Sequence, residues 1–371
     1  MITINYGRHY IDKKDMEAVM ITLGSDYLTT GPKIFEFEQK LCEYIWSKYT
    51  VAVWNWTQAL HLAYLAIWLQ SWDEIITTAN TFVATSNMAI ACWAKPFFCD
   101  IRMDNYNIDE KKIEKLITKK TKVIVPVHFA WYPCNMKEIW KIAKKYNLYV
   151  IEDAAHALGA EYEWKKIWNT RSDLTILSFH PVKAITTWEG WAVLTNNKSL
   201  YEKILKLRSH WIIRDDDWFN NMVDLWYNYR ITDIQCALWC SQMDKLDKFI
   251  VHRKKIVDLY EKYLCELSEV ILPKEIGNIK SWWHLYVVRF KSNKIRNKVM
   301  QNLKKQWYGA TLHYPPVYSH TYYKKNWYKD ITLPNMELYY KTCLSLPIFV
   351  WLTEKDVNNI CFIIKKIVWN S

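Results

Sequence analysis

Glycine is scarce in this chain. It holds 7 glycines and 22 tryptophans in 371 residues, where average usage would give about 26 glycines. Glycine serves left-handed turns and close approaches of backbone to ligand, so the chain is short of punctuation. Metal-type cysteine spacing is missing as well. The 9 cysteines form no CxxC pair and no His/Cys cluster at zinc spacing, so no metal site is expected. An odd, scattered set fits buried thiols in a reducing compartment better than a disulfide framework. No run of 18 apolar residues and no basic-then-apolar leader occurs, which predicts a cytoplasmic protein with no membrane partner. Arginine is scarce too, 9 against 41 lysines in a chain of net charge +12. No basic stripe with interleaved stacking aromatics gathers that charge, so nucleic acid is not an expected partner. A diffuse positive field suits small anionic substrates.

What is present is globular: 51% hydrophobic and 24% charged residues exclude a disordered or collagenous chain. Short apolar segments alternate with helical patterns. Glu74–Thr77, Lys95–Cys99, Lys122–Val127, Leu148–Glu152, Leu174–Ser178 and Ala192–Thr195 read as strands. Asp12–Leu23, Thr57–Leu69, Thr81–Cys92, Asp109–Ile117 and Asn135–Tyr146 read as helices. This order predicts an α/β fold with a mostly parallel sheet buried on both faces. After Asn197 the pattern changes. Ile231–Leu264 reads as one long or kinked helix, and Trp283–Phe290 and Ala310–His313 as strands of a smaller α+β unit. The expected division is a large domain over 1–248 and a small C-terminal domain over 249–371.

Three features fall where such a sheet places its ligand, at the carboxyl ends of strands. Asp153 closes the apolar strand before Ala154-Ala155-His156, as a helix cap or as the partner of a ring nitrogen. Lys183 ends Ser178-Phe179-His180-Pro181-Val182-Lys183, as a solvated lysine or as a nucleophilic amine. Asn55-Trp56-Thr57-Gln58 opens a helix, as a simple cap or as an anion site.

Taken in this order, these segments resemble the DegT/DnrJ/EryC1/StrS sugar-nucleotide aminotransferases. The likeness runs nearly end to end and also rests on Leu28-Thr29-Thr30-Gly31-Pro32-Lys33, Tyr227-Asn228-Tyr229-Arg230 and His284-Leu285-Tyr286. Val127-His128-Phe129-Ala130 and Pro133-Cys134-Asn135-Met136 carry a nearer likeness to the 4-aminotransferases of pseudaminic acid biosynthesis. The resemblance implies the fold type I, aspartate-aminotransferase-like architecture and pyridoxal 5'-phosphate as cofactor. It implies that Lys183 holds the cofactor covalently and, once released, shuttles the proton at the sugar carbon. Asp153 would pair with the ring nitrogen, Phe82 would stack on the ring, and His156 would lie near its phenolic oxygen. Position 56, the Thr57 and Gln58 backbone N–H groups and the Ser178 hydroxyl would form the phosphate cup. Asn228 would reach the cofactor phosphate of a second subunit, making a homodimer with shared sites. Thr29, Thr30, His128 and His313 are substrate-contact candidates, with structural roles as the equal alternative. The implied reaction moves an amine from glutamate to a nucleotide-linked 4-keto-6-deoxy sugar, expected to be UDP-4-keto-6-deoxy-N-acetylhexosamine. A GDP-perosamine-type enzyme, a 3-keto-sugar enzyme or a catalytically silent relative are the alternatives. The presence of both Lys183 and Asp153 favours an active transaminase.

The resemblance also makes the glycine deficit readable. The family pattern expects glycine where this chain has Trp46, Trp56, Trp68, Trp72, Trp93, Trp131, Trp164, Trp168, Trp188, Trp191, Trp211, Trp226, Trp239, Trp307, Trp327 and Trp351. Trp140 and Trp283 read as true tryptophans. Trp54, Trp218, Trp282 and Trp369 fit either residue. Sixteen restored glycines would bring the count to 23, an ordinary value. A gene whose UGA codons mean glycine, translated with UGA as tryptophan, predicts this pattern.

Overall fold

A computed structural model describes residues 3–163, 165–167, 171–214, 220–275, 277, 279–326 and 328–370. Trp164, Trp168, Trp218 and Trp327 lie outside the described residues. Seven strands build the central sheet: β1 (Tyr49–Val53), β2 (Glu74–Thr78), β3 (Lys95–Cys99), β4 (Thr121–Val125), β5 (Tyr149–Asp153), β6 (Leu174–Ser178) and β7 (Trp191–Thr195). Their spatial order is β1-β7-β6-β5-β4-β2-β3. All run parallel except β7, which is antiparallel to both neighbours. The strands are apolar on both sides because helices cover both faces. Val51, Val53, Ile151 and Ile176 face Leu60, Ala63, Ile204 and Leu207 of the helices Trp56–Ala66 and Lys198–Arg208. Ala52, Leu177 and Leu194 point the other way, toward Ile34, Phe37 and Leu41.

The helix Pro32–Ile45 was not among the elements read from the sequence. Its apolar residues Ile34, Phe37, Leu41 and Ile45 keep helical spacing and are buried. Its N-cap is Gly31, which offers no side chain. The Asp233 carboxylate does the capping from afar, accepting the Gly31 N–H at 2.7 Å and the Lys33 N–H at 2.8 Å. Such a cap leaves no local signal. The segment read as Ile231–Leu264 is two helices, Asp233–Met243 and Leu246–Leu264, so the expected boundary at residue 248 falls inside the second. At the break, Lys245 is drawn to Asp12 at 2.6 Å and Asp15 at 2.8 Å, carboxylates at the start of the first helix.

The C-terminal part packs helix Asn293–Lys305 on an antiparallel sheet of Val270–Ile271, Tyr286–Phe290 and Cys343–Leu346, and helix Glu354–Trp369 against Asn293–Lys305 and Leu246–Leu264. Val288, Val299, Leu303, Leu344, Ile360 and Ile364 form its core. The strand expected over Ala310–His313 is only an isolated bridge between Thr311 and Ser345. Pro315 and Pro316 follow, and proline donates no ladder hydrogen bond.

Candidate active site

The sheet delivers Asp153 at the end of β5 and Ser178 at the end of β6. Asp153 is fully buried, and its side chain accepts from the Thr85 hydroxyl at 2.9 Å and the Ala155 N–H at 3.3 Å. Burial raises its pKa, while those two bonds and the nearby Lys183 charge oppose the rise. Lys183 is also buried, five residues beyond β6. Its Nζ stands 3.3 Å from His284 Nε2. Burial pushes the Lys183 ammonium down to about 7; Asp153 works against that shift and Arg253 adds to it. The lysine thus divides between charged and neutral amine near neutral pH, as a proton shuttle requires.

Three imidazoles surround the amine. His156 and His284 lie with ring centroids 4.2 Å apart, and burial, followed by the Lys183 charge, lowers both well below the usual histidine range. His313 is held down to about 3 for the same two reasons. His156 accepts from the Ala130 N–H at 3.3 Å, and its Nε2 is 3.3 Å from the Tyr314 hydroxyl. His313 Nδ1 pairs with the Ser345 hydroxyl at 2.8 Å. Arg253 fixes the segment that brings His284 in: its guanidinium donates to the Trp283 carbonyl at 2.9 Å and the His284 carbonyl at 2.8 Å. Burial pushes Arg253 down to about 9. Sequence reasoning used His284 only as part of a motif and passed over Arg253, Thr85 and Tyr314. Arg253 sits in a lysine-rich helix, where nothing local marks it as the buried cation.

The remaining candidates separate. Ser178 is buried, and its hydroxyl accepts from the His180 N–H at 3.4 Å. Asn55 caps the helix that opens at Trp56, accepting the Gln58 N–H at 2.9 Å. That N–H, expected in the phosphate cup, is therefore engaged, and the Trp56 and Thr57 N–H groups remain at the helix start. Thr29, Asn55, Gln58, Asn228 and Arg230 line one cleft of about 410 Å³. Thr29 bridges to Thr232, and Thr30 has left-handed backbone with φ 58°. Asn228 is exposed, and its carbonyl oxygen accepts the Arg230 N–H at 3.1 Å. His128 departs from expectation. Its Nε2 pairs with buried Glu152 at 2.7 Å and its Nδ1 accepts the Cys134 N–H at 3.0 Å. With both ring nitrogens engaged and the ring buried, His128 supports its loop and has nothing left for a substrate.

These groups fit a phosphorylated pyridine: a buried carboxylate for a ring nitrogen, a buried amine for a carbonyl, an aromatic face at Phe82 and free N–H groups at a helix start. One side chain does not fit. The Trp56 indole stacks on Phe82 at 5.2 Å and 22°, and on Trp191 at 5.0 Å and 8°. Lys183 Nζ lies 6.0 Å from the Trp56 ring centroid. The Trp56 indole N–H is buried without a partner. The indole therefore covers one face of Phe82.

The sequence pattern of the DegT/DnrJ/EryC1/StrS aminotransferase family matches residues 9–365. The chain is 41% identical to a UDP-4-amino-4,6-dideoxy-N-acetyl-beta-L-altrosamine transaminase of Campylobacter jejuni, covering 96% of this chain and 95% of that protein. It is similar in structure to Helicobacter pylori PseC, an aminotransferase involved in pseudaminic acid biosynthesis, with TM-score 0.95, 32% identity and both chains covered over 100%. It is also similar to Spr1654 of Streptococcus pneumoniae, assigned as a sugar aminotransferase and solved in its PLP form, with TM-score 0.92, 28% identity and 99% of each chain covered. Sequence and fold agree: the chain belongs to the DegT/DnrJ/EryC1/StrS family of pyridoxal-phosphate-dependent aminotransferases.

Proposed function

We propose that this protein transfers the amino group of L-glutamate to C4 of a UDP-linked 4-keto-6-deoxy-N-acetylhexosamine, for a surface-glycan or flagellin sugar. Buried Asp153 at the end of β5 and buried Lys183 beyond the end of β6 carry the reading. The activity named for the Campylobacter jejuni relative supports the choice of sugar. In this family the bound pyridoxal phosphate supplies an electron sink. Asp153 would face the ring nitrogen and keep it protonated. His156 would sit beside the phenolic oxygen. Ser178 and the N–H groups at the start of the Trp56–Ala66 helix would hold the phosphate. Lys183, neutral in part near pH 7, would return a proton to C4 of the sugar from one face and so set its configuration. Thr29, Thr30 and His313 are the proposed sugar contacts.

We assign the chain before the helix break at Asp244–Lys245 to cofactor binding and the chain after it to a small domain that contributes His284 and His313. The active unit we propose is a homodimer in the cytoplasm, its cysteines free as they are in this chain. Exposed apolar residues support a second copy as partner. Met16, Met20 and Ile21 on the first helix and Met222, Leu225 and Tyr227 beside Asn228 all face solvent in the single chain. Asn228 would enter the neighbouring site from that surface. The test is product analysis on W56G with glutamate and a panel of UDP- and GDP-linked keto sugars. A 4-amino product on the UDP sugar, with 2-oxoglutarate released, supports the reading. Turnover of only GDP sugars or of 3-keto sugars refutes it.

A further inference from the structure

The misfit at Trp56 is one of a series. Four helices end in the same way. Trp46, Trp68, Trp93 and Trp307 stand just past the helices Pro32–Ile45, Trp56–Ala66, Ala84–Ala91 and Asn293–Lys305, with φ of 65°, 56°, 61° and 64°. The residue after each returns its N–H to a carbonyl five positions back: Ser47 to Cys42 at 3.0 Å, Leu69 to Tyr64 at 3.0 Å, Ala94 to Ala89 at 2.9 Å and Tyr308 to Leu303 at 2.9 Å. This closure places one residue in left-handed backbone, and glycine, or less often asparagine, takes that place because a β-carbon is penalised there. The helix Met136–Tyr146 closes identically through Asn147, φ 52°. Trp72, Trp188 and Trp211 add three turns at φ 72°, 69° and 49°.

The bias belongs to tryptophan. Among the described residues, eight of eighteen tryptophans have positive φ, against six of all other non-glycine residues together. Most of these indoles gain little by packing, although Trp211 is partly buried and Trp68 lies under the Lys203 ammonium. Trp46, Trp72 and Trp93 are each at least 75% exposed, and Trp68, Trp188 and Trp307 are half exposed or more. Trp283 is the exception, with φ 56° but a buried ring that packs 6.0 Å from Tyr286, so it stays with the true tryptophans. Inside the protein, the indole N–H groups of Trp56, Trp226, Trp239 and Trp283 are buried without partners, so an orphaned N–H does not by itself separate the two classes. Trp140, which the sequence marks as a true tryptophan, donates to Ser172 at 2.8 Å.

We propose that the native polypeptide carries glycine at positions 46, 56, 68, 72, 93, 188, 211 and 307, and that its source decodes UGA as glycine. At seven of these positions glycine removes a left-handed β-carbon. At position 56 it clears the face of Phe82 and opens the cup for the cofactor. The assignment at 56 rests on the cofactor reading; the other seven stand on backbone geometry alone. The test is peptide mass mapping of the protein isolated from its own cells, with the codons read beside it. Glycine masses and UGA codons at the eight positions, with tryptophan and UGG at Trp140, are expected. Tryptophan in native peptides at Trp46, Trp68, Trp93 and Trp307, or UGG codons there, overturns the proposal. A failure of the cofactor reading looks different: the peptides carry glycine, yet W56G takes up no pyridoxal phosphate.

Discussion

Replacing the tryptophans at three helix ends with glycine should make this protein more stable. A β-carbon in left-handed backbone costs about 1–2 kcal/mol. Glycine gives back about 0.5–1 kcal/mol through the greater freedom of the unfolded chain. Little burial is lost, because Trp46, Trp93 and Trp307 are 76%, 79% and 50% exposed. The net gain is about 0.5–1 kcal/mol per site. Trp68 is the weakest of the four sites, since the Lys203 ammonium lies 3.2 Å from its ring centroid, a contact worth about 0.5–1 kcal/mol. The test is therefore the triple variant W46G/W93G/W307G, with an expected gain of about 1.5–3 kcal/mol. Unfolding entropy of roughly 2.1 cal/mol/K per residue sums to about 0.8 kcal/mol/K for the whole chain, so Tm should rise by about 2–4 °C. W140G is the control. It puts glycine inside a helix and removes the bond to Ser172, so it should lower Tm. Calorimetry or circular dichroism reads both. A triple variant with Tm unchanged or lowered would refute the reasoning from backbone geometry.

Gly31 tests the converse, a glycine that the chain retains. A β-carbon there would collide with the Tyr27 side chain and lie 2.8 Å from Asp233 Oδ1, so G31A should cost about 1–3 kcal/mol in denaturant unfolding. The pH dependence of cofactor uptake by W56G should follow Lys183, rising as pH passes through about 7 and levelling above it. Asp153 holds that pKa up and Arg253 holds it down, so D153N should move the midpoint lower and R253M should move it higher. Lys183 also links stability to pH. Its folded pKa lies below that of an unfolded lysine, so its cost is fully present below about pH 7 and is relieved as pH rises toward about 10. The stability advantage of K183M over the parent should shrink across that range. Leu225 is 77% exposed in the single chain, and L225D should convert a dimer to a monomer in sedimentation without lowering monomer stability.

Much of the fold was legible because it is written in local patterns. The apolar runs of β2 to β7 and the Asn55 cap of the helix Trp56–Ala66 stand in the sequence. The helix Pro32–Ile45 was missed because its cap comes from Asp233, 202 residues away from Gly31. The break at Asp244–Lys245 was unplaced for a similar reason, since the lysine's partners are Asp12 and Asp15. In the site, Lys183, Asp153, His156 and His313 were legible from the ends of strands and from the family likeness, and the structure gathers them. Arg253 and Tyr314 were not, because each acts through a contact between distant segments. His128 was left open between substrate contact and structural support, and the engagement of its ring by Glu152 and the Cys134 N–H favours support. Trp283 was read as an ordinary tryptophan, and only the backbone shows its φ of 56°.

The central claim is that the family's cofactor site is intact in this protein except for the indole at position 56. Titration of the chain with Trp56 and of W56G with pyridoxal phosphate, followed by the visible absorbance of bound cofactor, tests it most directly. W56G should retain the cofactor through gel filtration, and W56G/K183A should lose it, while the Trp56 chain binds far more weakly. Equal retention by the Trp56 chain and W56G would contradict the account.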